Sequence, residues 1–188
     1  MYYINEIKDR FRLKPKDFGR DINEVAVEYF KSKYEGRIDK DLGLVVAIIS
    51  AESTSDGSII LGEPDVVYEA KFKALCFMPK INEVYRSYIT ELAEFGAFAR
   101  VGPIDALVHI SQISGDKLHF NRKLDAIVTK DNKVYLKKGD IIVAKISTIS
   151  LKDNVKDSKI ALTMRGEGLG RLVDLIESKK GSKPKSKS

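Results

Sequence analysis

Glu94-Phe95-Gly96-Ala97-Phe98-Ala99-Arg100-Val101-Gly102-Pro103-Ile104-Asp105-Ala106-Leu107-Val108-His109-Ile110-Ser111-Gln112-Ile113 is the run on which the second half of the chain turns. Within it Ala97, Ala99 and Val101 alternate with Phe98 and Arg100, the period of a strand with one face in a core. Gly102-Pro103 interrupts with turn chemistry. A second alternating run follows, in which Val108 and Ile110 oppose Leu107 and His109. If the small and β-branched residues fill an interior, Phe98, Arg100 and His109 share the outer face. An exposed aromatic beside Arg and His is what single-strand nucleic-acid recognition needs: a π-face on which a base stacks, and cations for phosphate. Taken singly, each residue also has a plain structural reading. Phe95 packs under the 102–105 turn, or His109 bonds to a neighbouring loop, and the alternation leaves both readings open.

Outward from this run, short strand-like segments separated by Gly, Asp and Asn recur at roughly 82–92, 97–101, 106–110, 126–135, 141–149 and 158–164. Such a series predicts a small barrel. Lys159, Ala161 and Thr163 alternate with Ile160, Leu162 and Met164, so the last segment returns with one face in the core.

Toward the N-terminus the period changes. Ile22, Val25, Ala26, Tyr29 and Phe30 fall at i, i+3, i+4, i+7 and i+8, one stripe of an amphipathic helix. Asp21 caps it with Glu24 at capping-box spacing, and Gly36 suits the left-handed position after the last turn. Strand-like runs flank it at Tyr2 to Ile7, Leu42 to Ile49, Ser58 to Leu61 and Val66 to Met78, with turns at Asp56-Gly57 and Gly62-Glu63-Pro64. One helix on a small antiparallel sheet is the natural packing. The expected fold class is therefore an α+β N-terminal domain over residues 1–80, bounded near Pro79, followed by an all-β barrel over 81–168. Residues 169–188 hold a short amphipathic segment from Leu172 to Ile176 and then a lysine-rich tail, KKGSKPKSKS, expected to be disordered.

The net charge of +6 is unevenly spread. Residues 1–80 carry a net −1, 81–165 a net +4 and 166–178 a net −2, while the last ten add five lysines and no acid. The basic excess thus lies in the barrel and the tail. A lone cysteine, Cys76, within Ala74-Leu75-Cys76-Phe77-Met78 predicts a small buried core residue, with neither an internal disulfide nor a zinc site. No stretch approaches the roughly 18 apolar residues of a membrane span, and the first ten residues lack an apolar signal region. An intracellular, reducing location is expected, with no membrane association. His109 and His119 lie ten residues apart with no Cys between or beside them. Gly166-Glu167-Gly168-Leu169-Gly170 lacks the Lys-Ser/Thr pair of a phosphate loop. With no paired acids and no nucleophile beside a base, no catalytic residue, cofactor, metal or small-molecule substrate is expected.

The 94–113 run resembles the signature of S1 RNA-binding domains: an F-G-x-F strand, a tight turn, then L-V-H-I-S. Lys138-Gly139-Asp140-Ile141-Ile142-Val143-Ala144-Lys145-Ile146 is similar to that family's G-D-x-V-x-x-K-V strand, and Lys159-Ile160-Ala161-Leu162-Thr163-Met164-Arg165 to its R-I-x-L-S strand. The resemblance implies an oligonucleotide-binding barrel that meets single-stranded RNA through Phe95, Phe98, Arg100, His109 and Lys159. Two positions depart from the pattern. Ser150 stands where many S1 domains have Asp, and Lys159 where they have Arg, which keeps the charge but loses the planar fork.

The first half narrows the family. Lys14-Pro15-Lys16-Asp17-Phe18-Gly19, then Lys33 through Ile48, and Val67-Tyr68-Glu69-Ala70-Lys71-Phe72-Lys73-Ala74-Leu75 resemble the E-prime subunit of archaeal RNA polymerase, in which an N-terminal tip domain of truncated RNP-like form precedes an S1 domain. That likeness implies a non-catalytic subunit of a nucleotidyltransferase complex, placed in the polymerase stalk as a heterodimer with the small F subunit. It also implies that Pro15, Phe18, Gly19 and Gly62 dock on the polymerase core, that nascent RNA is bound, and that the chain works in an archaeal cytoplasm. Gly62-Glu63-Pro64 departs from the family's usual Gly-Asp-Gly. An S1 factor of the translation apparatus or an exosome cap is the alternative, and the order and motifs of the first domain favour the polymerase.

Overall fold

Tyr2–Leu13 forms a single long strand, β1, which runs well past the segment 2–7 read from the sequence. The alternation simply continues. Ile7, Phe11 and Leu13 turn toward the core while Lys8, Arg10 and Arg12 stay exposed, so the polar residues do not end the strand. After a 3-10 turn at Pro15–Asp17 comes α1, Ile22–Tyr34. The Asp21 carboxylate accepts hydrogen bonds from the backbone N–H groups of Asn23 (2.8 Å) and Glu24 (3.0 Å) and so caps the helix. Three strands follow: β2 (Ile38–Asp39), β3 (Gly43–Ser53) and β4 (Ser58–Ile59). β5 (Val66–Phe77) pairs antiparallel with β1 on one side and β3 on the other, giving the order β1-β5-β3-β2, with β4 paired to the start of β5. Gly43 has φ +75°, and a Cβ there would lie 2.4 Å from the Phe77 carbonyl oxygen, so only glycine lets β3 begin against the end of β5.

The computed structural model describes residues 1–131 and 133–181 of the chain. They form two compact units, Met1–Pro79 with Leu151–Asp157, and Lys80–Ser150 with Ser158 onward. In the first unit α1 buries Val25, Ala26 and Phe30 against Phe11, Val45, Ile48, Ala70, Phe72 and Cys76. Phe30 stacks on Phe72 with ring centroids 4.2 Å apart. Cys76 is fully buried, and burial pushes its thiol pKa up, so it sits in the core as an inert thiol. Beside this core Asp9 Oδ2 receives hydrogen bonds from Lys33 Nζ (2.6 Å) and Tyr34 OH (2.5 Å), tying the last turn of α1 to β1. Partial burial raises the Asp9 pKa, but these two bonds, the Arg10 N–H donated to Oδ1 and the charge of Lys33 together outweigh it and hold the carboxyl below its usual range.

The second unit is built on β6 (Val84–Ala93), β7 (Gly96–Val101) and β8 (Ile104–His109), an antiparallel meander. Three short strands then form a separate sheet: β9 (Leu118–Asn121), β10 (Ala126–Thr129) and β11 (Val134–Lys137). β12 (Ile141–Ser150) pairs with β6, and β13 (Lys159–Thr163) pairs antiparallel with β12 and parallel with β8, closing a five-stranded barrel. Ala97, Ala99, Val101, Val108, Ala144 and Leu162 are all buried. A short strand, β14 (Gly170–Arg171), adds to β12 before α2 (Leu172–Gly181).

Besides β1, two segments differ from the sequence reading. The stretch 126–135 is not one barrel strand but the hairpin β10–β11, closed by the Thr129 N–H donating to the Lys133 carbonyl at 3.0 Å. Folding back pairs Ile127 with Leu136 and buries both completely, which a single extended strand ending in Lys130-Asp131 does not achieve. Composition predicts a disordered tail from Lys179, yet α2 continues through Gly181. The rest of that tail, 182–188, lies outside the described residues.

Candidate nucleic-acid interface

Strands β7 and β8 bring the outward residues into rows. Gly96 pairs with His109, Phe98 with Leu107, and Arg100 with Asp105. At Gly96 a Cβ would lie 2.2 Å from the Val108 carbonyl oxygen, so glycine is what lets β7 start hard against β8. The preceding residue, Phe95, stays 50% exposed instead of packing away. Its ring meets that of Phe98 edge to face, with centroids 6.0 Å apart and planes at 88°. Phe98 is half-buried and continues along its row into Leu107 and then Ala161 of β13. The result is an apolar ledge two aromatic rings wide on the outside of the barrel.

His109 ends β8 and caps the 3-10 turn Ile110–Gln112. Its Nδ1 lies 2.8 Å from Ser111 Oγ and accepts the Ser111 N–H at 3.3 Å, while the residue as a whole stays exposed. The local hydrogen bond and the outward face are therefore both present, and one positions the other. Arg100 is exposed, but its Nε lies 3.1 Å from Asp105 Oδ1 across the β7–β8 turn. Its charge is thus largely offset within the protein, and a phosphate would have to compete with Asp105 for it. Lys159, opposite Ser150 on β13, is exposed and makes no ion pair among the described residues. It lies two residues before Ala161 on a strand parallel to β8, level with Asp105 two residues before Leu107. Lys159 therefore shares the outer face at the Arg100 end, one strand beyond β8.

Three features of this surface escape the sequence. Leu107 sits in the middle of the ledge, although its place in the alternation could have marked it. Arg122 from the β9–β10 turn is paired with Glu94, the residue before Phe95. Arg165 places Nε and Nη2 on the Ser114 carbonyl at 3.0 and 2.8 Å, while Thr163 Oγ1 donates to Gln112 Oε1 at 2.9 Å, so the segment after β13 is laced to the turn that follows His109. Both ties depend on residues some fifty positions apart and carry no local signal.

At the end of the first unit, Pro15 opens the 3-10 turn, Phe18 is 52% exposed and Gly19 follows. Gly62 lies in a turn closed by the Glu63 N–H on the Ile60 carbonyl at 3.0 Å. Val66 pairs with Ile59, just before the second turn, and lines a shallow cavity with Leu13, Phe18, Gly19, Ile22 and Tyr68 beside the first. Ile59, Ile60 and Leu61, which the sequence reading treats as strand, are 80%, 44% and 101% exposed. Three consecutive apolar side chains held in solvent add nothing to the buried core of this unit. Among the described residues no group of three or more His, Cys, Asp or Glu is placed to hold a metal, and no helix is long and apolar enough to cross a membrane.

Comparison with known proteins matches both units. Residues 8–64 match the SHS2 domain found in the N terminus of Rpb7p and Rpc25p, and residues 78–160 match the S1 RNA binding domain. A DNA-directed RNA polymerase subunit Rpo7 of Saccharolobus shibatae is 32% identical over 180 residues, covering 96% of this chain and all of that one. The Rpo7 subunit of Sulfolobus acidocaldarius is 31% identical over 92% of this chain and 93% of its own length. A DNA-directed RNA polymerase II subunit rpb7 of Dictyostelium discoideum is 25% identical over 74% and 82%. With both domain models in order along the chain and the match running the length of the relative, the chain belongs to the family of DNA-directed RNA polymerase subunit Rpo7.

Proposed function

We propose that this chain is the non-catalytic stalk subunit of a DNA-directed RNA polymerase, paired with the F subunit, docked on the core through the tip of its first unit and holding single-stranded RNA as it emerges. The observation that carries the RNA assignment is the pairing of the exposed Phe95 with the half-buried Phe98 on a barrel face bordered by His109 and Lys159. Stacking on such rings tolerates any base, because every base has a π-face, and cations nearby add attraction to the backbone. The chain's own residues bind and orient RNA, and nucleotide addition stays with other subunits. For docking, the exposed Phe18 and Ile59-Ile60-Leu61 supply an apolar tip to bury against the core. No cofactor is required for either role, and the cytoplasm is where the complex works.

A pull-down of the tagged chain from native extract tests this reading. Core polymerase and the F subunit should dominate the bound fraction. Recovery of ribosomes or of an RNA-degrading complex in their place would assign the S1 barrel to translation or RNA turnover.

A further inference from the structure

The segment between β8 and β12 is longer than a barrel connection needs, and it carries the charge. Residues 116–138 hold seven Lys or Arg against three Asp, a net of +4 that equals the whole excess of 81–165. An ion pair brings the turn joining β9 to β10 beside the aromatic ledge. Arg122 donates from both Nε and Nη2 to the carboxylate of Glu94, the neighbour of Phe95. Asn121 Oδ1 accepts the N–H groups of Lys123 (3.0 Å) and Leu124 (3.3 Å), which turns both side chains outward. Lys123 is exposed with no ion pair among the described residues, and Leu124 is 53% exposed.

The Arg122–Glu94 pair is open to solvent on both sides, at 81% and 65% exposure, so its contribution to stability is small. Its electrostatic effect is more informative. Glu94 is an acid at the edge of the ledge where a phosphate would pass, and Arg122 offsets it. The neighbouring Lys123 makes no ion pair among the described residues, with the carboxylate of Asp125 two residues on, and is left available to a phosphate. We infer that the β9–β10 turn is a second wall of the RNA site, in which Lys123 takes a backbone phosphate, Leu124 adds apolar contact, and Arg122 removes the repulsion of Glu94. This inference rests on the reading of the β7–β8 face as an RNA platform, and it extends that face from the rings of Phe98 and Phe95 onto the hairpin.

The test is a fluorescence-anisotropy titration of a labelled oligouridine against the full chain, as the complex with the F subunit, at several salt concentrations. Lys123→Ala should flatten the slope of log K against log salt by about 0.7, the contribution of one single-strand phosphate contact. Lys130→Ala is the control. It lies at the other end of β10, roughly 16 Å along an extended chain from Asp125, and this exceeds the Debye length of about 8 Å at physiological salt. It should leave slope and affinity unchanged. Arg122→Gln should weaken binding at low salt, and adding Glu94→Gln should restore most of the loss.

Equal slopes for wild type and Lys123→Ala would overturn the second wall, as would equal flattening by Lys123→Ala and Lys130→Ala, which marks diffuse charge. No recovery in the Glu94→Gln, Arg122→Gln double variant would overturn the role given to Arg122. If the wild-type complex itself fails to bind the oligonucleotide, the RNA platform fails first, an outcome distinct from unaltered binding by the variants.

Discussion

Phe95 and Phe98 meet edge to face at 6.0 Å on the outside of the barrel, one ring half exposed at the turn and the other half-buried in β7. Neither belongs to the buried core, so either can be truncated without opening a cavity there. Phe98→Ala should therefore fold, with an unchanged thermal transition. Loss of one stacked base costs about 1–3 kcal/mol, so single-stranded RNA binding should weaken by roughly five- to a hundredfold with little change in salt slope. Anisotropy titration beside thermal unfolding checks both. An unfolded variant would place Phe98 in the core, and normal binding would put the stacking platform elsewhere.

The Arg100–Asp105 pair makes a prediction of the opposite sign. Asp105→Asn removes the internal partner of Arg100 and should tighten RNA binding and steepen its salt dependence, whereas Arg100→Ala should cost little. Lys159→Ala, which removes a cation with no ion pair among the described residues, should flatten the slope by about 0.7. Should Arg100→Ala flatten the slope as much as Lys159→Ala does, Asp105 is not offsetting the guanidinium.

Pairing with a small helical subunit should bury more than about 2,000 Å² in total if the contact is obligate. Co-expression with the F subunit, then size-exclusion chromatography, should give one peak holding both chains. Separate peaks, with this chain a well-behaved monomer, would remove the heterodimer from the proposal.

The tip offers a cleaner mutation than most interfaces, because Leu61 is fully exposed and Phe18 half exposed, so Phe18→Ser with Leu61→Ser leaves the fold intact. The double variant should still bind RNA and the F subunit, yet fail to join core polymerase in reconstitution. Retained assembly would mean that the apolar tip is not the docking surface.

Asp9 gives the first unit a measurable pH response. Its folded pKa is held below the unfolded value of about 3.9, so the stabilisation is present above that pH and is lost as pH falls through the lowered value. The hydrogen bond from Lys33 to Asp9 holds the Lys33 pKa up, so its share is complete below an unfolded value of about 10.4 and disappears only as pH rises through the folded one. Asp9→Asn should lower stability at neutral pH by about 1–2 kcal/mol, discounted for the partial exposure of Lys33. It should also narrow the gap between neutral and acid stability in denaturant titrations. An unchanged gap would mean that other carboxylates set the acid response.

What the sequence makes legible follows its local signals. The helix α1 declares itself through a five-residue apolar stripe and the Asp21 cap, both of which act within one or two turns. The face bearing Phe98, Arg100 and His109 follows from strand alternation, since one residue of register sends a side chain to the opposite side. The same rule applied to 126–135 misleads, because the reversal at Lys130 to Lys133 is driven by Ile127 and Leu136 finding each other. β1 outruns its apolar pattern for a related reason: Asp9, inward-facing and polar, is tolerated only because Lys33 and Tyr34 come back to meet it. The Arg122–Glu94, Arg165–Ser114 and Arg37–Asn154 associations are likewise products of the assembled fold.

The parallel pairing of β13 with β8, Leu162 beside Val108, also sets a timetable for synthesis. β6, β7 and β8 can form their meander as soon as they leave the ribosome, since each turn is short. β8 then presents an unpaired edge, a template for pairing with another chain, until the residues through Thr163 have been made. Closure across that span is a long-range step of the kind that slows β-rich folding and lengthens exposure to aggregation. The stacking ledge can therefore take shape early, while the row that joins it to Ala161 and Lys159 exists only once the strand that ends at Thr163 has docked.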